Sequence, residues 1–152
     1  LKKGENIVGS LLGIEGSHPL EGDLGNLDRL VDAGYRLIAL QHFFDNALGG
    51  SLHGEGNHGL TDFGRAVVAE MAARNLILDL AHSSPQTARD VLAMTDIPLV
   101  VRHTGTYGHC ATKRNFSDDL MRAITARGGV IGICYLVRII RPDPSVAGTG
   151  TE

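Results

Sequence analysis

The chain has 152 residues, 43% of them hydrophobic and 20% charged, so it can bury one ordinary domain core and is too apolar for disorder. Its formal net charge is −3, with Lys and Arg scattered, which leaves no basic surface for nucleic acid or an anionic membrane. No apolar run approaches the roughly 20 residues that cross a bilayer, and no signal peptide is visible, so the default compartment is the cytoplasm.

The elements alternate along the chain. An apolar run, Ser10–Ile14, ends in Glu15. Leu24, Leu27, Leu30 and Val31 then make one helical stripe, which Gly34 stops. A second run, Leu37–Leu40, leads to Gln41 and His42. The glycine-rich stretch from Gly49 to Gly59 reads as a long loop. Thr61 caps a helix that carries Phe63, Val67 and Met71 and ends near Asn75. The third run, Leu76–Leu80, leads to His82. Ser84 and Pro85 open a helix that buries Ala88, Val91 and Leu92.

The fourth run, Leu99–Val101, leads to His103. Ser117, with Asp118 and Asp119 in the first turn, starts a helix through Leu120, Met121 and Ile124 that Gly128 and Gly129 end. Val130–Ile133 is the fifth run. From about Arg141 the chain turns to Pro, Gly and Thr, so residues 1–140 are expected as one domain and 141–152 as a flexible tail. Cys110 and Cys134 read as free thiols, since two cysteines define neither a disulfide framework nor a zinc knuckle.

The apolar runs are nearly continuous rather than alternating, as in strands covered on both faces. The resulting β-α-β-α-β-α-β-α-β series predicts an α/β fold with a parallel sheet. Half of a (β/α)8 barrel and a doubly wound sheet both satisfy it.

Glu15, His42, His82 and His103 close four successive strands. The C-terminal edge of a parallel sheet is where such folds build their sites. Neutral imidazole and carboxylate suit zinc and similar ions. A carboxylate can bridge two ions, and a two-metal site can hold a hydroxide nucleophile and polarise a carbonyl. Any one of these residues alone reads as a loop or core side chain; together they read as a site. His18, His53, His58 and His109 lie in loops without strand support and read as surface histidines. Asp79 is expected on the opposite face from His82, as a structural partner.

Several motifs resemble the membrane (renal) dipeptidase family of metallopeptidases. They are Gly13-Ile14-Glu15-Gly16, Leu40-Gln41-His42, Gly59-Leu60-Thr61-Asp62-Phe63-Gly64-Arg65, Asp79-Leu80-Ala81-His82, Arg102-His103-Thr104, Arg114-Asn115-Phe116-Ser117-Asp118 and Gly128-Gly129-Val130-Ile131-Gly132. They run in the family's order from about Leu11 to Tyr135. The resemblance implies a TIM-type barrel, here about half to two-thirds of it, with a binuclear zinc site that hydrolyses dipeptides, including those with a C-terminal D-residue. By the same resemblance Glu15, His82 and His103 would bind metal, with Glu15 bridging. His42 would be catalytic, contacting the substrate carbonyl, and Arg114 would bind the substrate carboxylate.

Other metal-dependent amidohydrolases, such as a lactonase or a deaminase, and a non-catalytic truncated copy are the alternatives. The family's first-metal His-x-Asp pair and its late proton-shuttling Asp are absent from this chain. Gln41 and Arg102 replace the small hydroxyl residues usual before His42 and His103. Alternation with His103 directs Arg102 away from the site. An incomplete barrel would expose sheet edges and apolar helix faces, so either association with other chains, a homo-oligomer among them, or marginal stability is expected.

Overall fold

The structure is a computed structural model, and it describes residues 8–141. Five strands, β1 (Leu12–Ile14), β2 (Tyr35–Ala39), β3 (Ile77–Asp79), β4 (Leu99–Thr104) and β5 (Val130–Ile133), form one sheet. Between them run α1 (Asn26–Asp32), α2 (Asp62–Ala73), α3 (Pro85–Met94) and α4 (Asp118–Thr125); a short α5 (Val137–Ile140) follows β5. Every neighbouring pair is parallel, and the spatial order is β1-β2-β3-β4-β5. A doubly wound sheet reverses its order at a switch point, whereas a barrel wall never does. The sequential order therefore selects the (β/α) barrel, here as a part of its wall.

The core forms where β2–β4 meet the helices. Ile38, Leu40, Leu78, Leu80 and Val101 are fully buried against Val67, Met71, Val91, Leu120 and Ile124. Burial of strand residues from both faces explains why the apolar runs in the sequence do not alternate. Gly34 ends α1 at φ +96°, a left-handed conformation that costs a glycine nothing.

Two of the three expected caps form. The Thr61 hydroxyl accepts from Gly64 N at 3.0 Å, and the Ser84 hydroxyl accepts from Thr87 N at 3.0 Å. Ser117 has the extended N-cap backbone, but its side chain makes no cap bond. Its hydroxyl bonds the Asp119 carboxylate instead and, with Arg89, holds that group's pKa down at about 2.

The strand boundaries differ from the sequence reading in one way that matters. β4 continues past Val101 through Arg102 and His103 to Thr104, and its pairing with β5 slips between Val101 and Thr104. A single 3₁₀ turn, His18–Leu20, and α5 are further elements that short, weakly patterned segments did not announce. Apart from Arg141, the tail expected at 141–152 lies outside the described residues. No helix among the described residues is long and apolar enough to cross a membrane.

The glycine-rich loop is tethered rather than slack. Gly50 N donates to Gly59 O at 3.3 Å, Ser51 N to Asp45 Oδ1 at 2.7 Å, and Leu52 N to His82 O at 2.8 Å. These bonds fold the loop back over the C-terminal end of β3.

Candidate metal centre

Glu15 lies one residue past β1, and its Oε1 is a point of convergence. His103 Nε2 lies 2.8 Å from that oxygen and His82 Nε2 lies 3.2 Å from it. The His82 and His103 rings are edge-on, with centroids 5.0 Å apart, and His42 stands edge-on to His82 at 4.6 Å. Candidate ligand atoms of Glu15, His42 and His82 fall within 4.8 Å of one another. The four strand-end residues singled out from the sequence thus meet in one place, in two overlapping sets. His42 thus stands within ligand reach of Glu15 and His82.

His82 is the most enclosed of the four. It follows β3 in a left-handed conformation, φ +65°, which a residue with a Cβ adopts at a cost of roughly 1 kcal/mol or more. That twist, and not the pleat of a strand, turns its ring into the centre. Burial, with smaller contributions from Arg114, His103, His42 and His53, pushes its pKa down to about 2. The ring is therefore neutral, the form that ligates metal. Its Nδ1 is buried without a hydrogen-bond partner. A neutral imidazole whose Nε2 faces a carboxylate oxygen, set among two further imidazoles, is a donor set that fits zinc.

The centre is enclosed on one side only. The side chains of Glu15 and His103 are 33% and 29% exposed, against 6% for His82. Small molecules can therefore approach from the Glu15 side.

Two arginines stand beside the histidines. Arg114 Nη2 bonds the His103 ring at Nδ1 and donates to His103 O at 3.1 Å. Asp119, one of the surface carboxylates open to Arg114, pairs with Arg89 at 3.0 Å.

Arg102 departs from the sequence reading. Its Nη2 reaches to 3.4 Å from Glu15 Oε1, while its Nε bonds the Asp79 carboxylate. Simple alternation fails because the strand is bulged at this point and the guanidinium is long enough to round the strand end. Asp79 is entirely buried, accepts also from Ala81 N at 2.9 Å, and is the structural partner expected of it.

His53 is exposed, as expected of a surface residue, and its ring also borders the centre. Its ring lies 5.5 Å from His82 and 5.4 Å from Phe43. Nothing in a glycine-rich loop has the periodicity that would have shown this; the tether from Leu52 N to His82 O brings it in. His58 and His109 stay at the surface, near Asp45 at 3.7 Å and bonded to Ile140 O at 2.9 Å respectively.

The family model described as membrane dipeptidase, Peptidase family M19, matches residues 2–149. Solved structures share the fold. An amidohydrolase from Pseudomonas aeruginosa is 27% identical with a TM-score of 0.75, covering 81% of this chain and 38% of its own. The dipeptidase AC, a metallopeptidase of family M19, is 26% identical with a TM-score of 0.80, covering 88% and 41%. The probable dipeptidase PvdM from Pseudomonas aeruginosa is 26% identical with a TM-score of 0.76, covering 81% and 33%. The chain thus spans between 33% and 41% of the length of these proteins.

Proposed function

The chain belongs to the membrane dipeptidase family, Peptidase family M19, and from that premise we propose that it carries part of the active centre of a zinc-dependent dipeptidase. The observation that carries this reading is the approach of His82 Nε2 and His103 Nε2 to one oxygen of Glu15. Glu15, His82 and His103 would hold the ion. Zinc bound there would polarise the scissile carbonyl and supply a hydroxide nucleophile at neutral pH.

The remaining roles belong to the chain itself. His42, edge-on to His82, would donate to the substrate carbonyl and to the oxyanion that develops from it; its nearness to the centre supports this role. Arg114, beside His103, takes the dipeptide's terminal carboxylate, for which a guanidinium offers two parallel donors. A substrate so held is short, with a free C-terminus. Residues 1–140 act as a partial barrel in this reading, and the apolar strands at its two sides, β1 and β5, are covered by further barrel units or by a second copy.

The test has two parts. Equilibrium dialysis is expected to find zinc bound to the chain, and Glu15→Gln or His82→Ala to weaken it by about 100-fold or more, since each removes a direct ligand. A panel of dipeptides, their C-terminal amides and lactones then reads the chemistry. Metal-dependent cleavage of free-acid dipeptides, with amides cleaved poorly, supports the proposal. Cleavage of lactones without dipeptides would move the chain to another metal-dependent hydrolysis.

A further inference from the structure

We propose that Arg102 is a resident cation of the metal centre, competing with a divalent ion for Glu15 and so setting the centre's metal affinity. The inference rests on the metal-centre reading above and concerns a residue that reading does not use.

Three groups crowd one oxygen. Glu15 Oε1 faces His103 Nε2 at 2.8 Å, His82 Nε2 at 3.2 Å and Arg102 Nη2 at 3.4 Å. The first two are imidazole nitrogens, which ligate a metal once they carry no proton; for His103 that means the tautomer in which Nδ1 no longer accepts from Arg114. The third is a permanent positive charge with no lone pair to give. An ion entering between the imidazoles must share Glu15 with the guanidinium or drive it off.

Arg102 is held in that position from behind. Its Nε bonds the buried Asp79 carboxylate, and Asp79 Oδ1 also accepts from Arg102 N at 3.2 Å. The backbone is fixed from the other side by β5, where a Cβ added to Gly132 would come within 2.2 Å of Arg102 O. Only glycine lets the bulged β4 approach that closely. The guanidinium therefore cannot swing far from Glu15 while it stays bound to Asp79. Neutralising Asp79 accounts for Nε; it does not account for Nη2, which is turned toward Glu15 and has no hydrogen-bond partner. Asp79 offsets the guanidinium's charge, but it leaves the competition for Oε1 in place.

The experiment measures zinc affinity of the chain by competition with a chromophoric chelator, for the unaltered protein, Arg102→Lys, Arg102→Gln and the double variant Asp79→Asn/Arg102→Gln. Removing a charged neighbour of a ligand changes metal affinity by about 10- to 100-fold. Arg102→Gln is expected to bind zinc tighter by that factor, and Arg102→Lys to stay near the unaltered protein. A purely structural Arg102 would lower thermal stability without raising affinity. The double variant removes both charges together, so it remains informative if Arg102→Gln alone fails to fold around an unpaired Asp79; it too must bind tighter.

Equal or weaker binding by the folded neutral variants overturns the proposal. If the unaltered protein binds zinc and the neutral variants match it, the metal centre stands and only the role of Arg102 falls. If no folded form binds zinc, both fall.

Discussion

The central strands and the outer strands of this sheet live under different physics. In β2, β3 and β4, Ile38, Leu78, Leu99 and Val101 are buried to within a few per cent. In β1 and β5, Leu12 is 53% exposed and Val130 is 64% exposed. The candidate centre straddles the two zones. His82 and His103 come from the buried strands, whereas Glu15 follows an outer strand of three residues. Its two sides are therefore unequal in rigidity: the histidines are pre-placed by the core, and the carboxylate is held mainly by the groups it meets.

That contrast can be broken by truncating one residue in each zone. Ile38→Ala should destabilise the chain by about 2–5 kcal/mol, the range for emptying a packed site. Leu12→Ala should cost less than about 1 kcal/mol, since much of that side chain already meets water. Urea unfolding followed by circular dichroism measures both, with an unchanged slope as the control. Comparable losses would mean that β1 is as well packed as β2, and that Glu15 needs no help from its neighbours.

The same division explains what the sequence could disclose. The buried zone announces itself: continuous apolar runs mark β2–β4, and Thr61 and Ser84 mark two helix starts that form as expected. Strand order was not legible, because a β-α series is common to barrels and doubly wound sheets, and only the hydrogen-bonded neighbours distinguish them. For the candidate site, strand ends singled out Glu15, His42, His82 and His103, and the fold brings these side chains together, because the end of a parallel strand is a place as well as a position. The reach of Arg102 toward Glu15 and the nearness of the exposed His53 to the centre escaped for two separate reasons. A bulge cancels the alternation from which Arg102's direction was read. His53 belongs to a loop whose course is set by tethers from elsewhere, beginning with Asp45 to Ser51 N at 2.7 Å.

A second comparison sharpens the first at the helix starts. The Ser84 hydroxyl accepts from Thr87 N and donates to His58 O at 2.7 Å, so it joins α3 to the glycine-rich loop. Ser84→Ala should cost about 1–2 kcal/mol, a cap plus a buried hydrogen bond. Ser117 occupies the same position on α4 without a cap bond, and Ser117→Ala should stay within about 0.5 kcal/mol. The measurement is the same urea titration. A cost at Ser117 equal to that at Ser84 would show that α4 is capped in solution in a way this geometry does not contain.

The smallest effect on stability and the largest on behaviour belong to the outer strands. Among the described residues β1 and β5 each have one strand neighbour, so each leaves a row of backbone donors and acceptors open, beside exposed Leu11, Leu12, Val130 and Ile133. Such edges associate unless something covers them. Light scattering coupled to gel filtration should find the chain at a mass above the 16.2 kDa of one copy. A single charge at either edge, Leu12→Lys or Val130→Lys, should return it toward one copy while changing stability by only about 0.5 kcal/mol. A chain that is strictly monomeric without either change would sink this expectation. The two variants also separate the edges. Leu12 lies three residues before Glu15, whereas Val130 lies across the sheet on β5. If covering β1 is what steadies the carboxylate, Leu12→Lys weakens zinc binding and Val130→Lys does not. Equal affinities in both would show that His82, His103 and Arg102 hold Glu15 without help from β1.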